Sequence, residues 1–520
     1  MNRLDLLVAP WAARDPDRTA IEGTDETLTY EQLDQLANRF ASALLASGIL
    51  AGERVGIHMP RSGRGVAAML GAMRAGAVYV PLDPSSPPAR MSLIARDCAL
   101  RHVVISPALF AGWRAAGVLE PVEHVFLSAD SPPLDAPGAR IHPWAEIAAE
   151  SPSPAAAPGS DPDALAYMLY TSGSTGVPKG VMLSHRNALS FVDWTADWVD
   201  LRSDDRVSSV APFHFDLSIF DIWGSLSRGA TVVVVDEAAV TSGRRMLDRI
   251  HSTGVTVSYC VPSALMLMLE NGGLEERGAP SLREVLFAGE VFPMKHLRRT
   301  MAALPRARFY NLFGPTETNV CLAWALPGVP EADTSSIPIG LPSCGDVATV
   351  VDPGGRPVAE GEVGELLIEG PTVMLGYWDG GRRTPARHPY PTGDLVARRP
   401  DGAYLYHGRR DHLVKIHGFR VELGEVEAAL NAHPGLREAI AFAVGQQLVA
   451  VTVPEDGSVS VLDVKRHCAS RLPRYMVPGD VRLVRALPRT SSGKVDRVRT
   501  RAAYLDGDTQ VLDPAHRAGN

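Results

Sequence analysis

An alternation of strand and helix patterns in the middle of the chain most strongly constrains the fold. Short β-branched or apolar runs predict strands, and segments with helical spacing lie between them, which gives the order βαβαβαβ. The predicted strands are 230–235, 255–261, 283–287 and 308–312. This order implies a largely parallel sheet covered on both faces. Ligands of such sheets bind beyond the carboxyl ends of the strands, so we expect functional residues at 259–262, 287–290 and 311–317.

The pattern changes after Gly408, where a smaller α+β unit is predicted. Two helical segments and two adjacent strands fit within fewer than a hundred residues. We therefore predict an α/β protein with a large multi-subdomain N-terminal body containing parallel sheets, and a small C-terminal cap. The predicted boundaries are 1–408 for the body, 409–500 for the mobile cap and 501–520 for a flexible tail.

Composition excludes several classes of protein. The 520 residues include 51 Lys and Arg against 59 Asp and Glu, and the net charge of −8 argues against a nucleic-acid binder. The sequence has no apolar run of about 18 residues that would suggest a membrane span. Its N-terminus does not resemble a signal peptide. The five cysteines are not spaced as metal-ligand pairs, so we expect a cytoplasmic protein.

Lysine is scarce in this chain. Only five of the 51 basic residues are lysine, and the other 46 are arginine. A lysine inside a glycine-rich loop therefore suggests that a compact ammonium group is required there. Lys179 lies in such a loop, within the sequence YTSGSTGVPKG at 170–180. Glycines, hydroxyl side chains and one lysine suit a phosphate group, although the segment is not a Walker A loop and a flexible surface loop is the alternative.

Four further segments carry residues suited to nucleotide chemistry, though each also has a plainer interpretation. The sequence NLFGPTET at 311–318 offers a flat aromatic face and a carboxylate for a cation, or is only a Gly-Pro turn. YPTGDL at 390–395 places a carboxylate suited to a ribose diol in a turn. The charged segment 408–427 could be a solvated linker, and PRTSSGKVDR at 488–497 carries Lys494 on a Gly/Ser loop.

Taken together and in this order, these motifs resemble the adenylate-forming (ANL) enzymes, which include acyl-CoA synthetases, luciferases and the adenylation domains of nonribosomal peptide synthetases. The resemblance runs from LTYEQL at 28–33 and RAGAVYVPLD at 74–83 to GELLIEGPTVMLGY at 364–377 and LPRYMVP at 472–478. It implies the fold of that superfamily, a ligase activity that uses ATP and Mg²⁺, and an active site between a body and a cap.

The resemblance also implies roles for individual residues. Lys494, Lys179, Thr175 and Glu317 would be catalytic, with Glu317 the Mg²⁺ ligand, and Asp394 and Arg409 would hold the ribose. Asp411 would be the hinge of the cap, and Lys415 and Gly418 would lie on its thiolation face. Phe313, where the family usually has Tyr, would stack on adenine. The remaining ATP-binding residues implied are Thr171, Ser172, Gly173, Ser174, Gly176, Asn311, Gly314 and Thr316.

The motif FDLS at 215–218 indicates an amino-acid substrate. Members that activate amino acids place an aspartate there, and Asp216 would pair with the substrate ammonium; a helix cap is the plainer alternative. The other pocket positions implied are Leu217, Phe220, Tyr259, Leu286, Ala288, Gly289, Leu312, Val320 and Cys321. This mostly apolar lining is similar to that of proline-activating domains of pyrrole biosynthesis. Valine, alanine and pipecolate stay open, because one methylene changes specificity only about 10–200-fold.

The sequence thus predicts that the chain activates an amino acid, L-proline in the first place, as aminoacyl-AMP. It would then transfer the aminoacyl group to the phosphopantetheine thiol of a separate peptidyl carrier protein, for the biosynthesis of a pyrrole-containing secondary metabolite such as an antibiotic. No attachment site of the GGxS type follows Arg497, so we expect a free-standing enzyme. The rival interpretation is an acyl- or aryl-CoA synthetase, against which Asp216 argues.

Overall fold

A computed structural model describes residues 2–24, 26–131, 134–151, 161–173, 177–410, 413–455, 459–489 and 495–507. The chain divides into two compact units. One unit, called the body here, comprises Met1–Pro84, Ile94–Tyr170 and Gly180–Asp411. The other, called the C-terminal unit, comprises Ser85–Leu93, Thr171–Lys179 and His412–Asn520.

Strands and helices alternate along most of the chain. The strands are β1 Thr19–Glu22, β2 Thr27–Thr29, β3 Arg54–His58, β4 Val78–Pro81, β5 His102–Ile105, β6 His124–Leu127, β7 Arg140–His142, β8 Leu165–Thr171, β9 Lys179–Ser184, β10 Arg206–Ser209, β11 Thr231–Val234, β12 Val257–Cys260, β13 Glu284–Ala288, β14 Arg308–Phe313, β15 Leu322–Ala325, β16 Leu341–Pro342, β17 Val347–Val351, β18 Val363–Glu369, β19 Gly376–Asp379, β20 Arg382–Pro385, β21 Tyr390–Arg398, β22 Tyr404–Arg409, β23 Leu413–Ile416, β24 Phe419–Glu422, β25 Leu436–Val444, β26 Gln447–Pro454 and β27 Asp480–Leu483. The helices are α1 Ala9–Arg14, α2 Tyr30–Ala46, α3 Gly63–Arg74, α4 Pro88–Asp97, α5 Pro107–Ala115, α6 Trp144–Ala149, α7 His185–Trp198, α8 Ser225–Arg228, α9 Glu237–Val240, α10 Gly243–Thr253, α11 Pro262–Asn271, α12 Leu274–Arg277, α13 Met294–Ala303, α14 Leu423–Asn431, α15 Val461–Ala469 and α16 Arg497–Asp506.

The body contains the parallel sheet that the sequence predicts. Its nine strands follow the spatial order β16-β15-β14-β13-β12-β10-β11-β1-β2. The six strands from β14 to β1 in that order pair in parallel, and antiparallel strands complete both edges. The strands β10 to β13 are buried along nearly their whole length, as expected where helices cover both faces of a parallel sheet. The predicted α/β fold class is confirmed.

A second nine-stranded sheet of the body has the order β20-β19-β9-β8-β4-β3-β5-β6-β7, with parallel pairing throughout its β4 to β7 part. A third sheet, β17-β18-β21-β22, is antiparallel. Helix α2 begins at a capping box, in which Thr29 and Gln32 satisfy each other's backbone N–H groups. Hydrophobic side chains from all three sheets and from α2 form one continuous core.

The C-terminal unit has its own hydrophobic core, made by α14, α15 and the sheet β25-β26-β27. The hairpin β23-β24 precedes them. The chain is helical over Arg497–Asp506, where the sequence predicts a flexible tail from residue 501. Asp496 caps this helix, and the side chains of Thr500 and Ala503 are buried, so the cap and these two side chains anchor the segment. Within the described residues, no helix combines the length and the apolar character needed to cross a membrane.

Candidate active site

Strand register brings the predicted pocket residues of the body onto one face of the parallel sheet. Tyr259 of β12 is opposite Leu286 of β13, and Ala288 of β13 is opposite Leu312 of β14. Because side chains alternate along a strand, these four share a face. All four are at least nine-tenths buried. Residues separated by more than fifty positions in the sequence therefore form one apolar wall.

A π-helical turn over Phe220–Gly224 supplies the next part of this wall. The Phe220 ring meets the Tyr259 ring edge-on, with centroids 5.8 Å apart. π-Helical turns are rare in proteins, and those that occur are often found at functional sites. The predicted pocket residues Leu217, Val320 and Cys321 belong to the same hydrophobic core. The thiol of Cys321 points to the Phe313 carbonyl oxygen at 3.6 Å, and burial raises its pKa above the usual range.

Asp216 supplies a carboxylate at this apolar wall. The Thr316 hydroxyl donates a hydrogen bond of 2.8 Å to Asp216 Oδ2, and Asp216 is half-buried. Burial raises the pKa of Tyr259 well above its usual value, and the nearby Asp216 charge raises it further. The Tyr259 hydroxyl is therefore neutral at physiological pH. The arrangement combines one acidic group with a compact apolar wall, as an amphoteric small molecule requires.

Two glycines next to this pocket allow backbone conformations and contacts that a residue with a Cβ would not. Gly289 directly follows β13 with φ of +90°, a conformation that favours glycine. At Gly314, an added Cβ would lie 1.9 Å from the Asn319 carbonyl oxygen, so only glycine fits there. The loop after β14 can therefore fold back on itself before the short helical turn Thr316–Thr318.

The predicted ribose-binding residues meet across β21 and β22. Asp394 and Arg409 are register partners, and Arg409 Nη1 donates to Asp394 Oδ1 at 2.7 Å. Both side chains are less than a tenth exposed. The guanidinium also donates to the Thr392 carbonyl, and the Thr392 hydroxyl accepts from the Asp394 backbone N–H. The carboxylate is thus held in one orientation.

Glu317, the predicted magnesium ligand, is fully buried on the turn that follows β14. The Tyr377 hydroxyl donates a hydrogen bond to Glu317 Oε1, and it lies 3.0 Å from the Tyr390 hydroxyl. The described residues contain no cluster of three or more His, Cys, Asp or Glu side chains that could hold a metal ion. Mg²⁺ is commonly held by one or two carboxylates together with substrate phosphates, so a single buried carboxylate with neighbouring hydroxyl oxygens is compatible with it.

Asn311 and Phe313 flank Leu312 on β14 and point to the opposite face. The Asn311 amide donates to the Pro338 carbonyl oxygen at 2.8 Å. The half-buried Phe313 ring lies beside the Tyr406 ring, with the ring centroids 5.9 Å apart. These contacts hold both side chains at the predicted nucleotide end.

In the C-terminal unit, the first residues of the predicted phosphate loop have defined contacts. Ser172 donates to the Arg420 carbonyl at 2.9 Å and accepts from the Glu422 N–H at 3.1 Å. Thr171 ends β8 with a buried hydroxyl that makes no hydrogen bond within the described residues. A Cβ at Gly173 would lie 1.9 Å from the Val177 carbonyl oxygen, so glycine is required there. The half-buried Lys179 begins β9.

The predicted thiolation face lies on the hairpin β23-β24. Lys415 is in β23, and Gly418 is in the two-residue turn with His417. Both turn residues have positive φ, as a type I′ hairpin turn requires, which accounts for the glycine. The predicted residues Ser174, Thr175, Gly176, Asp411 and Lys494 lie outside the described residues.

Several residues in contact with the site were not among the sequence predictions. Tyr377 and Tyr390 hold Glu317, and Thr392 supports Asp394. Each of these three residues belongs to a motif that the sequence analysis identifies. Their positions within those motifs are the signal from which a role at the site could have been predicted. Tyr167 and Asn319 are buried neighbours of the amino-acid pocket, and no motif chemistry indicates them.

The chain matches two family models. Residues 8–378 match the AMP-binding enzymes, and residues 425–494 match the C-terminal domain of AMP-binding enzymes. The chain therefore belongs to the AMP-binding, adenylate-forming enzymes, and ATP is the nucleotide that these ligases use.

Within that family, its relatives include two proteins named L-proline--[L-prolyl-carrier protein] ligase. The one from Pseudomonas fluorescens is 44% identical over 93% of this chain and 96% of its own length. The one from Streptomyces coelicolor is 39% identical over 93% of both chains.

Solved structures agree with the fold. IdnL1, known from a crystal structure, is 29% identical in sequence to this chain, and the two structures superpose with a TM-score of 0.78. The match covers 94% of this chain and 99% of IdnL1. The Vibrio cholerae adenylation domain AlmE, solved in complex with glycyl-adenosine-5′-phosphate, is similar in fold with a TM-score of 0.81 at 22% identity. The match covers 97% of this chain and 98% of AlmE.

Proposed function

We propose that the chain activates L-proline as prolyl-AMP and transfers the prolyl group to the phosphopantetheine thiol of a carrier protein. The observation that carries this proposal is the wall of Tyr259, Leu286, Ala288 and Leu312, which supports a compact apolar side chain beside the Asp216 carboxylate. The identity to two proline ligases over nearly the whole chain supports the same substrate.

The first half-reaction joins the substrate carboxylate to the α-phosphorus of ATP and releases pyrophosphate. Both reactants are anionic, so the residues must offset charge repulsion and hold the groups in line. Asp394 and Arg409 would fix the ribose, and Phe313 would stack on the adenine. Lys494 and the phosphate loop around Lys179 would supply positive charge and N–H donors to the phosphates.

Mg²⁺ is proposed as the metal, with Glu317 and Thr316 holding it through oxygen ligands. When bound, it would neutralise phosphate charge. The buried Glu317 carboxylate and the hydroxyl groups beside it are suitable donors. Tyr377 would keep the carboxylate in place.

The second half-reaction is proposed to use the face of Lys415 and Gly418, after a rotation about Asp411. The thiol sulfur would attack the prolyl carbonyl carbon, AMP would leave with the bonding electron pair, and the thiol proton would pass to solvent. Lys494 would be needed only for adenylation. A Lys494→Ala variant is therefore expected to lose adenylate formation but to transfer the prolyl group from pre-formed prolyl-AMP.

The deciding experiment is amino-acid-dependent exchange of pyrophosphate into ATP, measured with proline, valine, alanine, pipecolate and benzoate. We expect the highest kcat/KM for L-proline, since kcat/KM defines specificity. Loading of a carrier protein with labelled proline tests the second half-reaction. A preference for valine would overturn the proline assignment, and a preference for benzoate would overturn amino-acid activation itself.

A further inference from the structure

The body contains a cavity of about 560 Å³ that is separate from the candidate active site. It is lined by residues at or just after the ends of strands β1, β3, β5, β6 and β11. The described residues that line it include none of those predicted to bind ATP or the amino acid. A cavity of this volume is large enough for a small molecule.

The order of strands in the second nine-stranded sheet gives the cavity a special position. Strands β4-β3-β5-β6-β7 lie side by side, which is the flavodoxin-like order. The chain passes from β3 to β4 on one side and then to β5 on the other side, so the connections diverge at the carboxyl ends of β3 and β5. Open α/β sheets bind ligands in the crevice at such a switch point. Met59 directly follows β3 and Ser106 directly follows β5, and both line the cavity.

Arg61 places a buried cation in the wall of this cavity. It is 8% exposed, and it donates from Nε to the Val235 carbonyl oxygen at 3.1 Å and from Nη1 to the Val210 carbonyl oxygen at 2.6 Å. Within the described residues, Nη2 makes no hydrogen bond and the guanidinium forms no ion pair. The nearby Asp221 is fully buried, and burial raises its pKa well above the usual value, which favours the neutral acid. A buried cation without a counter-charge is unfavourable, so Arg61 is suited to an anionic ligand.

Three carboxylates line the same cavity, and their contacts leave the Arg61 charge uncompensated. Glu26 accepts from the backbone N–H of Arg64 at 3.1 Å and from its Nε at 3.2 Å. Asp236 accepts from a backbone N–H of α9 at 2.7 Å, and Glu237 is exposed to solvent. The buried end of the cavity is therefore positively charged, and the acidic groups lie at its other contacts.

Two helices begin at the cavity and add hydrogen-bond donors to it. Helix α3 follows its cap residue Ser62 and has no acidic residue in its first turn. Helix α5 follows Ser106, whose side chain makes no cap hydrogen bond. The buried Ser128 follows β6 and brings a further hydroxyl to the lining. Helix N-termini carry partial positive charge, and together with a guanidinium and hydroxyl groups they suit a phosphate group.

We propose that this cavity is a second ligand site, which binds a phosphate-bearing small molecule of about mononucleotide size. Arg61 Nη2 donates to the phosphate oxygens at the N-termini of α3 and α5, and Met59 and Val234 contact the rest of the ligand. The proposal goes beyond the proposed function, because no residue of the cavity has a role in either half-reaction. AMP and inorganic phosphate share the required chemistry, and the test distinguishes between them.

The test is a calorimetric titration of AMP into the full chain. We expect two binding events in wild type. Arg61→Gln should weaken one of them by about tenfold to a hundredfold, the effect of losing hydrogen bonds from a charged group. Asp394→Ala should weaken the other event. Unchanged AMP binding in Arg61→Gln would overturn the proposal.

Two further ligands define what the site recognises. Inorganic phosphate should bind to the Arg61-dependent site more weakly than AMP, because the cavity is larger than one phosphate group. Equal affinities would contradict a ligand of mononucleotide size. Adenosine should not bind there, and an adenosine-binding event that Arg61→Gln removes would contradict recognition of the phosphate.

A second variant separates binding from folding, since Arg61 also holds two backbone carbonyls. Ser106→Leu fills the cavity without removing a helix cap, and it should weaken the same event at least about threefold. Arg186→Gln, in an ion pair about half exposed to solvent, is the control and should leave both events unchanged. Pyrophosphate exchange with proline should be unchanged in Arg61→Gln and Ser106→Leu, because the cavity is separate from the candidate active site.

Failure of this proposal can be distinguished from failure of the proposed function. A single event that Asp394→Ala weakens, and that Ser106→Leu and Arg61→Gln leave unchanged, would overturn the second site alone. A single event that Arg61→Gln weakens and Asp394→Ala does not would support the second site and contradict the nucleotide role of Asp394.

Discussion

The two ends of the candidate site in the body differ in how their carboxylates are held. At the proposed ribose end, the buried Asp394 is paired with Arg409 across two antiparallel strands. At the proposed amino-acid end, Asp216 accepts a hydrogen bond from the Thr316 hydroxyl and lies beside an apolar wall. The first end thus contains an ion pair between two protein side chains, whereas the second combines a carboxylate with apolar side chains. If the proposed roles hold, the first binds the same nucleotide in every reaction and the second selects the amino acid.

Removing the Asp216 carboxylate should have the largest effect on activity. Asp216→Ala is expected to lower kcat/KM for proline by more than about a hundredfold, because a buried ammonium without its counter-charge costs several kcal/mol. KM for ATP should change little. Pyrophosphate exchange measures both, with the exposed Asp130→Ala as the control. Activity within about tenfold of wild type, roughly 1.4 kcal/mol, would show that Asp216 does not bind the ammonium.

Removing the carboxylate at the proposed ribose end should instead weaken ATP binding and leave the amino-acid preference unchanged. Asp394→Ala is expected to raise KM for ATP about tenfold to a hundredfold by removing charged hydrogen bonds, without changing the ranking of amino acids. It should also lower the free energy of unfolding by about 3–5 kcal/mol, because Arg409 stays buried without its partner.

Asp163→Ala is the matched control for this ion pair. Asp163 and its partner Arg186 are both about half exposed, so we expect a loss of at most about 1 kcal/mol. Exchange kinetics and chemical denaturation give the two readouts. A changed amino-acid ranking in Asp394→Ala would mean that the two ends are coupled.

The size of the pocket can be changed without touching either carboxylate. Leu312→Ala should raise the ratio of kcat/KM for pipecolate over proline by about tenfold, since one methylene is worth about 10–200-fold. The cavity should cost about 2–5 kcal/mol of stability. Leu44→Ala on α2, an equally buried core residue, should lose stability without changing the ratio. An equal shift in both variants would indicate loosening of the core rather than a larger pocket.

The smallest effect concerns acid stability, which must be known before pH profiles of the two ends are compared. Burial, together with the neighbouring His124, lowers the pKa of His102 to about 4. Below pH about 6.5 the unfolded chain therefore binds a proton that the folded chain does not, and stability falls as the pH drops toward 4. His102→Phe should lessen this loss by about 1–3 kcal/mol.

Denaturation curves at pH 7 and pH 4.5 measure this difference. The exposed His407→Phe is the control, and its curves should match those of wild type at both values. Equal acid sensitivity of wild type and His102→Phe would contradict the assignment.

Much of this comparison could be predicted from the sequence, because the strands that carry it are strongly patterned. Periodicity placed Tyr259, Ala288 and Leu312 near the ends of neighbouring strands, and the register then put them on one face. Motif resemblance indicated Asp394 and Arg409, which the structure brings together.

Other parts were not predictable, because they depend on distant contacts or on backbone conformation. Tyr377 meets Glu317 across sixty residues, and no local pattern encodes that pairing. Asn319 is marked by its φ angle and burial, which residue type alone does not reveal. The helix at 497–506 was missed because two buried side chains and one cap are a weak signal in the sequence.

The alternation of side chains along β14 has a consequence for how such enzymes diversify. Leu312 lies on the face of the proposed amino-acid pocket, while Asn311 and Phe313 on either side of it lie on the opposite face. Under the proposed function, a substitution at Leu312 would alter which amino acid is accepted and leave the two neighbouring side chains in place. Such a position would allow the substrate range to diverge among related enzymes while the reaction with ATP is retained.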